Sequence, residues 1–345
     1  MSHFLDHGFE SVPRPVQLRA NLFAIAFYLM KLVPAAFVLR KAQEQGLVDR
    51  DTVVIETSSG NYGMGLALET NRLGLPFILV TDHAVSPYWA RRMSDLGSVI
   101  SMVEASASDG NIQNARLARL EQEKRAHPNH FAPGQYHNLA HRLAYRAVAE
   151  RIAEEIGHVD ALVAAFGSGA SGCGTAASLR RPDPKMKLIA VDTHHSVLFG
   201  MENGPRTLRG LGNSLHPANL DHTAVDEVHW IHGPLALRAM RRLYSTHRLY
   251  QGPTSGAAFL AADDYARKHP DQIVVVLLPD HGERYSDFHD EAWLRRNNLY
   301  IDAEPAGPNE VDSPIAARGP WDCFQWRRRS FSEVTGGPLI RPEVI

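Results

Sequence analysis

Short apolar runs alternate with helical patterns through most of the chain. Continuous apolar runs such as Thr52–Ile55, Ala161–Phe166 and Ile273–Leu278 are typical of parallel strands covered on both faces. Helical patterns alternate with them, for example at Gly63–Asn71 and Leu139–Ile156. This order of strand and helix predicts a doubly wound α/β architecture.

The segment Leu22–Leu39 is apolar over the length of a transmembrane candidate and carries one charge, Lys31. That charge lies near the middle, where it costs about 2.5–3.5 kcal/mol in a bilayer. We therefore predict a buried strand at Phe23–Leu29 and a helix beginning near Pro34, since proline is favoured in a first helical turn. Burial would lower the pKa of Lys31, as a nucleophilic lysine requires. The alternative is a core lysine whose amine reaches solvent.

Composition narrows the class of protein. The chain has 345 residues, enough for two domains or one large α/β unit, and 36 basic against 38 acidic residues. This balance gives no reason to expect nucleic acid or a membrane as partner. The two cysteines, Cys173 and Cys323, exclude a disulfide scaffold and suit a cytoplasmic protein, in keeping with an N-terminus unlike a signal peptide. Residues 301–345, rich in Pro, Gly and acids, are expected to form a linker or tail.

Two loops between a strand and a helix have the composition of anion sites. Glu56–Gly63 offers short hydroxyl and amide side chains at a helix N-terminus, where a carboxylate or phosphate fits, although an ordinary N-cap has the same composition. Gly167–Gly172 is a glycine-rich phosphate cradle. It also matches G-x-G-x-x-G, and Asp192 at the end of the next strand keeps a dinucleotide site open as an alternative.

Histidines supply weaker signals. His281 follows the last strong strand, where ligands bind in open α/β sheets, although a polar turn explains it equally. His137 and His141 lie four residues apart without the glutamate of a zinc-protease motif, so we expect no metal site.

In chain order these motifs resemble the fold-type II pyridoxal phosphate (PLP) enzymes, the cysteine synthase family, from about Arg14 to about Trp293. Four segments are similar to family motifs: Ser58–Asn61, Gly167–Ser171, Gln251–Ala258 and Leu278–Tyr285. Among relatives, Asp192–Gly200 and Arg209–Asn213 look most like siderophore-pathway synthases that join an amino acid to a serine-derived acrylate.

The resemblance implies a role for individual residues. Lys31 would form the Schiff base with PLP and later act as the base that removes the α-proton. Residues expected to hold the cofactor are Lys31, Asn61 at the phenolic oxygen, Gly167, Ser168, Gly169, Ala170 and Ser171 at the phosphate, and His281 at the pyridine nitrogen. Residues expected to hold the substrate are Ser58, Ser59, Gly60, Tyr62, Gln135 and Gly210.

The resemblance also implies an activity. It is β-replacement on an O-activated serine (acetyl-, phospho- or similar) through an aminoacrylate, making cysteine or a non-protein amino acid. A β-eliminating lyase or dehydratase, and an inactive family member that binds without cofactor, are the alternatives. Small amino-acid substrates and a homodimer are expected. The implied domains are a smaller one at 25–137 and a larger, PLP-anchoring one at 1–24 and 138–300, with the cofactor in the cleft between them.

Three departures from the family pattern are visible. About five residues are missing before Lys31, His281 stands where a serine is common, and Tyr62 replaces a smaller residue. A histidine that donates its N–H would leave the cofactor ring nitrogen largely unprotonated. Arg206 and Arg209 are candidates to bind the phosphate of a phosphoserine donor.

Overall fold

The computed structural model describes residues 10–58, 60–104, 112–208 and 210–339. The chain forms two compact units. The first comprises Leu29–Ala144 with the described end of Met1–Ser11, and the second comprises Val12–Tyr28 and the described part of Tyr145–Ile345. The chain thus passes between units at 11/12, 28/29 and 144/145. The last two crossings lie four and seven residues after the predicted bounds at 24/25 and 137/138, and residues 10 and 11 belong to the first unit rather than to the larger one predicted for 1–24.

The elements follow in chain order. The strands are β1 (Pro15–Arg19), β2 (Leu22–Ala26), β3 (Val53–Thr57), β4 (Phe77–Thr81), β5 (Val99–Met102), β6 (His130–Phe131), β7 (Ala161–Ala165), β8 (Lys187–Asp192), β9 (Glu227–Ile231), β10 (Val274–Leu278), β11 (Asn309–Glu310) and β12 (Trp321–Phe324). The α-helices are α1 (Leu32–Glu44), α2 (Asn61–Leu73), α3 (Pro87–Asp95), α4 (Ile112–Ala126), α5 (Ala140–Ala144), α6 (Arg146–Glu155), α7 (Ala170–Leu179), α8 (Gly233–His247), α9 (Pro253–Lys268), α10 (Glu291–Arg296) and α11 (Phe331–Thr335). Short 3-10 helices lie at His222–Ala224, Gly282–His289 and Pro314–Ala316.

The first unit is built on a four-stranded parallel sheet in the order β5-β4-β3-β6. Ile55 lies level with Ile78, and both belong to a buried apolar cluster with Val80. Since the strands are parallel, β3 and β4 end at the same edge of the sheet. The loop from β3 into α2, one of the two predicted anion sites, begins at that edge.

The second unit contains an eight-stranded sheet in the order β1-β2-β10-β7-β8-β9-β12-β11. Its five central strands, β2 to β9 in that order, are parallel, and β1 and β12 join them antiparallel. The buried strand Val274–Leu278 and the helix α9 share one large apolar core, as continuous hydrophobic runs require. The predicted α/β class with two mostly parallel sheets is confirmed.

The apolar N-terminal segment divides as the sequence predicts. Its strand is β2, which ends at Ala26 rather than Leu29, and the helix α1 begins at Leu32, so that Pro34 lies in its first turn. Across the described ranges the chain has no helix with the length and apolarity needed to cross a bilayer. The helix predicted for 139–156 is instead two helices, α5 and α6, because Tyr145 has a ψ of 1° that interrupts the helical backbone.

Residues 301–345, predicted as a linker or tail, contribute β11 and β12 to the larger sheet over their described part. β12 pairs antiparallel with β9, and Trp321 and Trp326 are buried. The sequence did not predict these elements, because a four-residue strand carries little periodicity and the surrounding composition is rich in Pro and Gly.

Candidate active site

Lys31 stands directly before α1 in the first unit and is partly buried. Burial lowers the pKa of its amine to about 8, against an opposing effect of the nearby Glu56 carboxylate. Helix α2 approaches its backbone so closely that a Cβ at Gly65 would lie 2.9 Å from the Lys31 carbonyl oxygen. An amine with this pKa is partly neutral near pH 7, and the neutral form is the nucleophile and the base.

The loop between β3 and α2 is organised by Ser58. Its buried Oγ accepts hydrogen bonds from the backbone N–H groups of Gly60 and Gly63, both at 3.2 Å. The Ser58 side chain therefore satisfies two backbone N–H groups at the start of α2. Asn61 is the first residue of α2, at the end of the helix that favours an anion. Ser59, predicted to bind substrate, lies outside the described residues.

Glu56 is a buried carboxyl at the end of β3 that binds backbone N–H groups on two segments. Oε1 accepts from Thr57 at 2.8 Å, while Oε2 accepts from Gly134 at 2.7 Å and from Gln135 at 3.3 Å. Burial raises its pKa to about 7, although these three hydrogen bonds favour the ionised form. The predicted substrate ligand Gln135 in turn donates its side-chain amide to the carbonyl oxygen of Thr57 at 3.2 Å.

Tyr62 and His141 form a buried pair beside Lys31. The Tyr62 hydroxyl lies 2.7 Å from Nε2 of His141, and Nδ1 of the same ring lies 2.9 Å from the carbonyl oxygen of Asn138. The amine of Lys31 lies 5.9 Å from the centre of the Tyr62 ring. Both nitrogens of His141 thus have partners in the protein, and His141 and His137 belong to no group of three metal-ligating side chains within the described ranges.

The glycine-rich loop of the second unit runs from the end of β7 into α7. Gly169 has a φ of +80° and serves as N-cap without a side-chain hydrogen bond of its own. A Cβ at Gly169 would lie 2.7 Å from Cα of Leu220, and one at Gly167 would lie 3.1 Å from the carbonyl oxygen of Gly210. Ser168, Ala170 and Ser171 are buried. Only glycine fits at position 169, and Gly167 lets the Gly210 backbone approach closely. The loop thus places backbone N–H groups at a helix N-terminus, as a phosphate requires.

Two residues that follow this loop in the chain, Asp192 and Arg206, test two alternative roles: a dinucleotide site and a site for the phosphate of a phosphoserine donor. Asp192 is completely buried, with Oδ1 accepting from the N–H of Thr193 at 2.8 Å, and burial raises its pKa to about 7. Because the Asp192 side chain is buried, its carboxylate does not reach a ribose. This placement argues against a dinucleotide site. Arg206 donates through Nη1 to the carbonyl oxygen of His195 at 2.7 Å and thereby braces its own loop. Arg209 lies outside the described residues.

His281 follows β10 and is fixed by local contacts within the second unit. Its ring stacks on that of Tyr28 with 5.2 Å between centroids. The backbone N–H of His281 donates to the Tyr28 carbonyl oxygen at 3.0 Å. Nδ1 accepts a long hydrogen bond, 3.4 Å, from the N–H of Glu283. The neutral ring therefore carries its proton on Nε2, which makes Nε2 a donor.

Comparison with known proteins assigns these loops to a family. Residues 30–280 match the model of the family described as "Pyridoxal-phosphate dependent enzyme". The chain belongs to that family. It is 33% identical over 294 residues, 82% of this chain and 84% of the relative, to an N-(2-amino-2-carboxyethyl)-L-glutamate synthase of Cupriavidus metallidurans.

Solved structures agree. The chain is similar to a hydrogen sulfide-producing enzyme of Fusobacterium nucleatum (27% identity, TM-score 0.74, 79% of this chain and 94% of that chain). It is also similar to an O-acetylserine dependent cystathionine beta-synthase of Helicobacter pylori (26% identity, TM-score 0.70, 80% of this chain and 90% of that chain). The expected pyridoxal phosphate enzyme of the cysteine synthase type is confirmed, and such relatives are consistent with β-replacement.

The residues present fit the cofactor. The amine with a lowered pKa and the glycine cradle are the two features that an aldehyde and a phosphate require. Sequence reasoning missed the contributions of Glu56 and His141. In the sequence, Glu56 is only the first residue of the Glu56–Gly63 motif. His141 is only one of two histidines, with His137, at which we expect no metal site.

Proposed function

We propose that this enzyme joins the β-carbon of an activated serine to the amino group of a second amino acid, with L-glutamate as the first acceptor to test. The 33% identity over 82% of the chain to a synthase of N-(2-amino-2-carboxyethyl)-L-glutamate carries this proposal. That product is a glutamate whose nitrogen bears a three-carbon amino-acid unit. Its chemistry requires an amine nucleophile and a serine-type donor with a leaving group on Cβ.

The cofactor ligands follow from the two loops. We assign Lys31 and Asn61 of the first unit, and Gly167, Ser168, Gly169, Ala170, Ser171 and His281 of the second, to pyridoxal phosphate. When bound, that group supplies an electron sink for the carbon atoms of an attached amino acid. In this assignment Nε2–H of His281 donates to the ring nitrogen, and the backbone at the start of α7 binds the phosphate.

The other steps belong to side chains of this chain. The neutral amine of Lys31, accessible because burial lowers its pKa to about 8, takes the α-proton of the donor and holds it as an ammonium. Ser58, through its hydroxyl, and Gln135, through its side-chain amide, are assigned to the donor's carboxylate. Gly60, Tyr62 and Gly210 complete the proposed substrate contacts. A homodimer is expected and would show twice the 38.2 kDa chain mass in light scattering.

Mass spectrometry of the products tests the function. The purified, PLP-loaded enzyme is incubated with O-acetyl-L-serine or O-phospho-L-serine, with and without L-glutamate. We expect a product containing both skeletons only when glutamate is present. Pyruvate and ammonia formed at the same rate with and without glutamate would instead indicate an eliminating lyase. Unchanged donors, together with a loaded cofactor, would refute both activities.

A further inference from the structure

The segment 134–141 has little regular structure before α5 begins at Ala140, yet it carries the proposed substrate ligand Gln135. A loop of this kind takes its position from side-chain contacts rather than from a sheet or helix. Hydrogen bonds from the segment 56–62 of the same unit reach both ends of this loop.

One end of the loop is held by a carboxylate. Oε2 of Glu56 accepts from the N–H groups of Gly134 and Gln135, at 2.7 and 3.3 Å. Oε1 accepts from the N–H of Thr57 at 2.8 Å, so a single buried carboxylate ties the end of β3 to the start of the loop. Hydrogen bonds to an ionised acceptor in a buried site are among the stronger ones in proteins.

The other end is held by an aromatic pair. Tyr62 donates to His141 at 2.7 Å, and His141 donates to the carbonyl oxygen of Asn138 at 2.9 Å. The N–H of Asn138 donates back to the carbonyl oxygen of Gly134 at 2.9 Å. The two anchors are thereby connected through the backbone of the loop itself.

We propose that Glu56 and His141 are positioning residues that clamp the segment 134–141 onto the segment 56–62 and so set Gln135 against the Ser58 loop. The importance of this placement for catalysis rests on the proposed function, in which Gln135 and Ser58 hold the donor's carboxylate. The clamp itself is a property of the first unit alone.

The clamp gives the donor site a pH dependence. Only the ionised Glu56 accepts from three N–H groups, and its pKa is raised to about 7. The charged or titratable groups that act on it are Lys31 before α1, Lys124 on α4 and Tyr136 in the loop. Donor affinity in the wild-type enzyme should therefore weaken as the pH falls below about 7.

The experiment compares Glu56→Gln with the wild-type PLP-loaded enzyme in two measurements. Amide hydrogen exchange reports the protection of Gly134 and Gln135, and the change in cofactor absorption reports the dissociation constant of O-acetyl-L-serine as a function of pH. We expect faster exchange at these two amides and donor affinity weakened by about tenfold at pH 8, the size of a lost charge-assisted hydrogen bond. Between pH 6 and 8 the dissociation constant of the wild type should rise more steeply toward low pH than that of the variant, in which only the donor's amino group still titrates.

The matched control is Glu69→Gln, since Glu69 is an equally buried carboxyl on α2 that pairs with Arg72. Glu69→Gln should leave amide exchange in the loop as in the wild type. The pH dependence of the dissociation constant should also stay the same. Tyr62→Phe is the second variant, which keeps the ring and removes the hydrogen bond to His141. It should raise exchange at 138–141 without altering Gly134, and it decides the question if Glu56→Gln does not fold.

Unchanged exchange in both Glu56→Gln and Tyr62→Phe would overturn the clamp. So would a dissociation constant with the same pH dependence in the wild type and in Glu56→Gln. If no serine derivative binds to the wild type, the proposed function fails, while the exchange data still confirm or refute the clamp.

Discussion

The phenol of Tyr62 donates a hydrogen bond of 2.7 Å to Nε2 of His141, a buried imidazole whose tautomer is fixed by the contact at its other nitrogen. A carbonyl oxygen can only accept, so Nδ1, 2.9 Å from that of Asn138, carries the proton. Burial, with a smaller effect of the positive Lys31, lowers the pKa of His141 to about 4. A neutral ring thus holds Tyr62 beside the reactive amine without adding a second positive charge.

The two anchors of the 134–141 segment should affect stability with opposite signs. The pKa of His141 falls from 6.5 to about 4 on folding, so between these values the unfolded state binds the extra proton and stability rises with pH. The pKa of Glu56 rises from 4.5 to about 7, so the folded state binds the extra proton and stability falls as the pH rises through that range. In the wild type the two effects oppose each other between pH 4.5 and 6.5.

Single variants should separate these effects in urea unfolding of cofactor-depleted protein from pH 4.5 to 7.5. Relative to the wild type, His141→Gln should lose stability with rising pH and Glu56→Gln should gain it, each by on the order of 3 kcal/mol across its range. The comparison uses differences between variants, which cancels the titration of unrelated groups. Identical pH profiles in the two variants would show that neither pKa is shifted as described.

Lys31 should be the residue that carries the cofactor. Borohydride reduction of the yellow, PLP-loaded enzyme followed by peptide mapping should find the pyridoxyl group on Lys31. Lys31→Ala should abolish the label and reduce turnover by at least about a thousandfold, since it removes both nucleophile and base. Lys41→Ala, which changes a lysine inside the helix α1 that Lys31 precedes, should keep both the label and the turnover. A label at another lysine in the wild type would contradict the assignment.

The parts of the site that are local in sequence could be predicted from it. The apolar flanks of Lys31 indicate burial, and the small polar residues at Ser58–Asn61 and Gly167–Ser171 indicate helix N-termini, because each signal depends on neighbours a few residues away. The structure places both loops at the start of α2 and α7. Here the resemblance to a family and the physical pattern indicate the same residues.

The contacts that support the site could not be predicted in this way. Glu56 and Gly134 are 78 positions apart, and no periodicity connects a strand end to a distant loop. The break at Tyr145 and the strand β12 were missed because composition averages over a window longer than either feature. Long-range pairing is decided by tertiary packing, which a single sequence records only indirectly.

Trp326 should be essential for the stability of the second unit, although its region resembles a tail in composition. Its side chain is completely buried, packs against Phe199 with 5.3 Å between ring centroids, and donates to the carbonyl oxygen of Arg329 at 2.7 Å. Trp326→Ala should cost about 3–5 kcal/mol through the cavity and the lost contacts. Thermal unfolding measures it, with Ile315→Ala, at a residue 72% exposed, as the control expected to change little.

Gly169 should be required for cofactor binding because of its surroundings rather than its φ alone. Gly169 and Gly157 both have positive φ, +80° and +84°, but a Cβ at Gly169 would meet Cα of Leu220 at 2.7 Å, whereas one at Gly157 has nothing within 4 Å. Alanine at either position costs about 1–2 kcal/mol in backbone strain. Only Gly169→Ala must also displace the loop that we assign to the phosphate.

Titration of PLP into the cofactor-depleted variants, followed by absorbance, separates strain from displacement. Gly157→Ala should bind PLP like the wild type and lose only stability. Gly169→Ala should bind at least about tenfold more weakly, since a shifted loop loses at least one hydrogen bond to a charged group. Equal affinity in the two variants would mean that the phosphate is held elsewhere, and the assignment of Gly167–Ser171 would then be wrong even though the family and the fold are shown.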